Sequence, residues 1–124
     1  MATKSGLKDD EINRYWESYY STVETQMTAQ SKLRQLEDDT EDLGEKSGYR
    51  ASRLRTEADI ELLRAKRIAF MADSAAINPP SDTLVNAIKG LAAQVAAKSA
   101  TRNEAVAIVG VASSAMTSFS TIQA

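Results

Sequence analysis

Apolar residues recur along this chain at steps of three and four, the period of a helix face, and no useful stretch alternates apolar with polar positions. Ile12, Trp16, Tyr19, Val23 and Met27 follow at steps of 4, 3, 4 and 4, and Tyr15 and Tyr20 widen that stripe. The face then thins to Gln30, Leu33, Leu36 and Leu43. Asp9, Asp10 and Glu11 precede it, where the free amides and the dipole of a helix N-terminus favour carboxylates. The pattern predicts a first helix from about residue 10 to about residue 43, after a flexible lead-in over residues 1–8.

A second pattern has two apolar lines. Leu54, Ala58, Leu62, Ala65, Ala69, Ala72 and Ala76 form one, and Ile60, Leu63, Phe70 and Ile77 form another beside it. Two lines predict two contacts for a second helix running from about Tyr49 to Ile77, one to the first helix and one to the C-terminal third. Gly44-Glu45-Lys46-Ser47-Gly48 is the turn signal between the helices. One continuous helix through it is the alternative, at about 1 kcal/mol per glycine relative to alanine. The charges favour folding back: Glu37, Asp38, Asp39, Glu41, Asp42 and Glu45 precede the basic group Arg50, Arg53 and Arg55. A hairpin sets the two clusters side by side, whereas a rod leaves each to repel itself.

Asn78-Pro79-Pro80 must end the second helix, because the residue before proline is driven from the helical region and proline has no amide to donate. Residues 78–81 then read as a linker, with Ser81 or Asp82 placed to cap a third helix carrying Leu84, Ile88, Leu91 and Val95. Thr101-Arg102-Asn103-Glu104 matches a capping box and predicts a fourth helix from Arg102 to about Thr121, striped by Ile108, Val111, Ala115, Phe119 and Ile122. The expected fold is all-α: a long antiparallel helical hairpin over residues 9–77, then two shorter apolar helices over residues 82–124 in the same domain. These would be assembled into a helical bundle or an oligomer.

Charge sharpens this picture. Of 15 basic and 17 acidic side chains, only Asp82, Lys89, Lys98, Arg102 and Glu104 lie beyond residue 77. A helical segment without a polar face needs cover on several sides, and a chain of 124 residues has one small core to offer. Leu84, Ile88, Leu91, Val95, Ile108, Val111, Ala115 and Phe119 are therefore the candidate self-association residues. Tyr15, Trp16, Tyr19 and Tyr20 put four aromatics within six residues, which suits either core packing or a protein-binding patch.

Candidate chemistry is sparse. The chain has no histidine and no cysteine, so the usual general base, soft metal ligand and thiol nucleophile are missing. The acidic run at residues 37–42 lacks the ligand spacing of a calcium loop, and no phosphate-binding or nucleophile motif is present. No catalytic residue, metal site or cofactor is expected. Arg50, Arg53, Arg55, Arg64, Lys66 and Arg67 are interleaved with Glu57, Asp59 and Glu61, which favours a salted helix surface over a nucleic-acid track. Ala105–Ala124 carries no charge over twenty residues, but six are Ser or Thr and no Trp or Tyr marks an interface. Burial in protein is the expectation there, with membrane insertion as the rival.

The opening residues carry no secretory signal, so synthesis in the cytoplasm is expected and the final location stays open. The functional expectation is a non-catalytic structural or assembly subunit, such as a virion or secretion-apparatus component, that self-associates through its low-charge C-terminal helices as a homo-oligomer. The alternatives are a small adaptor or inhibitor that binds another protein, and a membrane-active subunit that inserts its C-terminal hairpin.

Overall fold

A computed structural model of the chain describes all 124 residues. Four helices carry the fold: α1 (Asp9–Asp39), α2 (Leu43–Met71), α3 (Asp82–Ala97) and α4 (Ala105–Ser120). The fold is all-α, and the helices pack against one another. α1 touches α2, α3 and α4; α3 and α4 touch each other; α2 packs chiefly on α1 and only grazes α4.

The hairpin turns earlier than the glycines suggest. α1 ends at Asp39, Thr40–Asp42 make the connection, and Gly44 and Gly48 lie inside the first turns of α2. The cause is a cap. Asp42 is the N-cap of α2 and its Oδ1 accepts from the Glu45 amide at 2.9 Å, while the Thr40 hydroxyl donates to Glu45 Oε2 at 3.0 Å. The acidic run is also misplaced at the C-terminal end of α1, where the dipole opposes it, and well placed at the start of α2.

α2 stops at Met71, short of the expected residue 77. Asp73 takes a left-handed backbone (φ 57°), the Asp73 amide donates to Phe70 O at 3.1 Å and the Ser74 amide to Ala69 O at 3.0 Å. This is the Schellman arrangement, which satisfies the last carbonyls and diverts the chain. Residues 74–81 run as an irregular strap to Ser81, whose Oγ accepts from the Leu84 amide and caps α3. The expected capping box at Thr101 does not form: Thr101 makes no side-chain cap and Arg102–Glu104 is a 3-10 turn. α4 consequently begins at Ala105.

The lead-in is not loose either. Ala2 and Ile77 exchange two backbone hydrogen bonds, at 3.1 and 2.7 Å. The Ser5 amide and hydroxyl both donate to the Asp73 carboxylate, at 2.9 and 2.7 Å. Asp73 therefore ends α2 and anchors the N-terminus with one side chain. These bonds to Ser5, and the nearby Lys4 ammonium, hold its carboxyl below the usual carboxylate range.

Along α1 the buried positions include Tyr15, Tyr19, Thr22, Gln26, Ala29, Leu33 and Leu36, at alternating steps of four and three. The resulting core has two apolar ends. Tyr15, Tyr19, Leu63, Phe70, Ile77, Ile88, Phe119 and Ile122 form one; Ala29, Leu33, Leu36, Val95, Ala105, Ile108 and Ala112 form the other. Between them α1 buries polar side chains that mostly find partners. Thr22 and Thr25 donate back to the carbonyls of Ser18 and Ser21, and Gln26 Nε2 donates to Ala112 O at 2.7 Å.

Tyr15 and Phe70 stack at 3.7 Å between ring centroids and join α1 to α2 at the first apolar end. We expect Phe70→Ala to lower the unfolding free energy by about 3–5 kcal/mol. Met27 belongs to the apolar stripe of the sequence but lies exposed, so Met27→Ala should stay within about 0.5 kcal/mol of wild type. Urea unfolding of the two variants checks both.

Candidate interaction surface

The C-terminal residues expected to join copies of the chain serve its own interior. Ile88, Val95, Ile108, Ala115 and Phe119 are fully buried, and Leu84, Leu91 and Val111 are partly covered. Their cover comes from α1 and from each other, because α1 lies against both α3 and α4. Five of the eight therefore have no surface to give a second chain, which corrects their assignment as self-association contacts. α4, at 16 residues and about 24 Å, is short of a bilayer core of about 30 Å, and no helix is long and apolar enough to cross a membrane.

The aromatic group divides. Tyr15 and Tyr19 are core residues, so neither is available as a binding side chain. The Tyr15 hydroxyl donates to Gln123 Oε1 at 2.6 Å, Gln123 Nε2 donates to Lys66 O and Lys66 Nζ donates to Gln123 O, each at 2.8 Å. Burial pushes the Tyr15 phenol far above its ordinary range and also raises that of Tyr19. Trp16 is half-buried, edge-on to Phe70, and Tyr20 stacks on it with its centroid 5.7 Å away. Tyr20 is 58% exposed and is the member of the group most open to a partner.

The charged clusters meet across the hairpin at one carboxylate. Glu37 is buried and accepts from Arg50 Nε at 2.8 Å and from Arg53 Nε at 2.7 Å; Arg53 also reaches Glu57 at 2.9 Å. Hydrogen bonds from Arg53 and then Arg50 hold the Glu37 carboxyl down at about 2. Elsewhere Lys32 places its ammonium on the C-terminal carbonyls of α3, donating to Val95 O at 2.8 Å, Ala96 O at 2.9 Å and Lys98 O. Asp, Glu, His and Cys side chains do not gather anywhere in threes that could hold a metal ion.

The surface most open to a partner is the outward side of α2. Its second apolar line, Ile60, Leu63 and Phe70, faces α1 and is buried. Its first line points the other way: Leu54 is 50% and Leu62 48% exposed, Ala51, Ala58, Ala65 and Ala72 are exposed with them, and Ala69 is half-buried. Ile68, 65% exposed, widens this face on one flank. No helix lies over it, since α4 only grazes α2 and α3 does not pack on it. On the other flank Leu62, Ala65 and Ala69 continue into an open groove of about 820 Å³, whose far wall is the C-terminal tail from Ser120 to Ala124. Periodicity alone finds this line and assigns its cover to the C-terminal helices; those helices are fully engaged with α1.

Acid should release the Glu37 cluster. Its carboxyl is depressed in the folded chain from the usual 4.5 to about 2, so its contribution is complete above about pH 4.5 and is lost as the pH falls toward 2. We expect the urea midpoint to fall across that window. Glu37→Gln should be less stable than wild type at pH 7 and should lose less between pH 4.5 and 2.

No family model, curated protein or solved structure matches this chain.

Proposed function

We propose that the chain is a non-catalytic structural subunit that works by association with protein through the outward face of α2. The observation that carries this reading is a 29-residue helix with apolar lines on opposite sides, one of which no other helix covers. Exposed Leu54, Leu62 and Ile68 lie along about 21 Å of helix with alanines between them, and clustered apolar exposure of this kind marks association sites. The lack of histidine and cysteine supports a role that involves no acid–base or thiol chemistry. The expectation of assembly is retained, and its location moves from the C-terminal helices to α2.

A second reading places an unlike partner on the Trp16 and Tyr20 edge. It draws on the exposure of Tyr20 and its stacking on Trp16, which preorganises an aromatic pair. Tyr20→Ala separates the two, because it would weaken an unlike partner at that edge and leave an α2-mediated assembly alone.

Leu62→Glu tests the main reading. Leu62 half-faces solvent, so the variant should keep the helical circular dichroism and melting behaviour of wild type. Sedimentation equilibrium of wild type should show association at micromolar concentrations, weakened at least about tenfold by Leu62→Glu, since a charge would enter an apolar contact. A wild-type chain that stays monomeric and binds no protein through this face would overturn the proposal, as would association that Leu62→Glu leaves unchanged.

A further inference from the structure

Resting on that reading of α2, we infer that the occupant of its outward face is a second copy of the chain. The two α2 helices would lie antiparallel about a two-fold axis between Leu62 and Ala65, with Asp59 of each copy against Lys66 of the other. The argument begins from charges the monomer leaves without partners. Within α2, Arg50, Arg53, Glu57, Glu61 and Arg64 all sit in ion pairs. Asp59 makes no hydrogen bond or ion pair, and Lys66 has no carboxylate partner, its ammonium reaching the Gln123 carbonyl and lying over the Phe119 ring; Arg55 and Arg67 are also outside any ion pair, which leaves Asp59 the one unpaired anion among them. Burial raises the Asp59 carboxyl, opposed only by the Arg55 charge, so this group is partly desolvated and inadequately matched.

These two side chains lie seven residues apart, two helical turns or about 10 Å, along the same edge of the apolar face. Opposite charges so placed are self-complementary under a two-fold axis perpendicular to the helix. Antiparallel pairing brings Asp59 to Lys66 of the partner subunit and Lys66 to Asp59 of the partner subunit in one step, and a two-fold interface makes every contact twice. The same register sets Leu62 against Ala65 and Ala58 against Ala69, a large residue on a small one beside a small–small layer. Side chains this short allow the helix axes to approach closely, because interaxial distance follows the residues at the contact. Parallel in-register pairing gives Asp59 no cation: its neighbour across the seam would be Leu54, and Lys66 would meet a Glu61 already held by Arg64. Antiparallel helices also set their dipoles against one another favourably.

Charge exchange tests the pairing in the full-length protein. Asp59→Lys creates a lysine pair at each edge and Lys66→Asp an aspartate pair, so each variant alone should associate at least about tenfold more weakly than wild type. Mixed in equal amounts, the two should form a heterodimer of near wild-type affinity. At one edge the introduced lysine then faces the introduced aspartate, and at the other the native Asp59 faces the native Lys66. A second measurement does not depend on Lys66, whose bond to the C-terminal tail could matter to folding. The chain has no cysteine, so Leu62→Cys and Ala65→Cys can be mixed under mild oxidation. Antiparallel pairing brings these α-carbons within the roughly 4.4–6.8 Å a disulfide spans and predicts the 62–65 heterodisulfide over either homodisulfide. Dominant homodisulfides, or heterodimers no tighter than the single variants, would overturn the antiparallel pairing. If Leu62→Glu abolishes association while both charge variants associate normally, α2 remains the association face and only this register falls. If Leu62→Glu has no effect, both fall.

Discussion

A helix can be covered only as far as its neighbours reach around it, and α1 takes most of that cover for itself. α2, α3 and α4 all pack on it, so its buried positions spread past one stripe to include Ser18, Thr25 and Glu37. Everything else follows from this allocation. α3 and α4, with almost no charged side chains, bury their apolar faces on α1 and on each other. α2 receives one face of α1 in return and little else. Its inner line is buried and its outer line is left to solvent. The asymmetry is geometric: a central helix with three neighbours leaves at least one of those neighbours on the rim.

The hairpin is held by charge placement as much as by apolar contact. Carboxylates gathered at residues 37–42 would burden the end of one helix, but by breaking at Thr40 the chain turns the last of them into the start of the next. Asp42 becomes a cap, and Glu45 accepts from the Thr40 hydroxyl and meets Arg102 at 2.8 Å across the bundle. Glu37 stays behind on α1 and takes two guanidinium groups from α2. Its value lies in being buried with both oxygens matched, since exposed pairs contribute little and an unpaired buried charge is costly.

Much of this architecture is legible in the chain, and the departures have identifiable causes. Helix number and helix order follow from periodicity, but α2 ends at Met71 in the turn at Asp73, ahead of the prolines at 79 and 80 expected to stop it. Glycines are the stronger punctuation and draw the expected turn to residues 44–48, yet Asp42 with Glu45 three residues on is the same type of start signal as Thr101 with Glu104. At Thr101 the match is real in sequence but the backbone takes a 3-10 turn. Apolar spacing misplaces the buried face of α1 by part of a turn because Thr22 and Gln26 occupy its centre. Such spacing finds a core only where the core is apolar, and here the middle layer is polar, with Thr22 and Thr25 bonded within α1 and Gln26 bonded across to α4. Aromatic clustering likewise cannot divide Tyr15 and Tyr19, which go inside, from Tyr20, which does not. That division depends on where α2 and α4 sit relative to α1.

The low charge of the C-terminal third is a reason to expect association there, but charge density measures a need for cover, not where cover runs out. The long α1 satisfies that need within the chain. The residual apolar surface falls instead on the charged half, where flanking Arg, Lys, Asp and Glu keep a bare leucine–alanine face in water. Alanines make such exposure cheap: each adds little apolar area, so the monomer can persist without a contact on this face. A face built this way favours association that is graded with concentration over an obligate pair. Flanking charges would then decide which partner and which direction such a face accepts, because the small side chains alone discriminate poorly. Were the face to pair in the proposed register, its specificity would reside in Asp59 and Lys66 and its adhesion chiefly in Leu62.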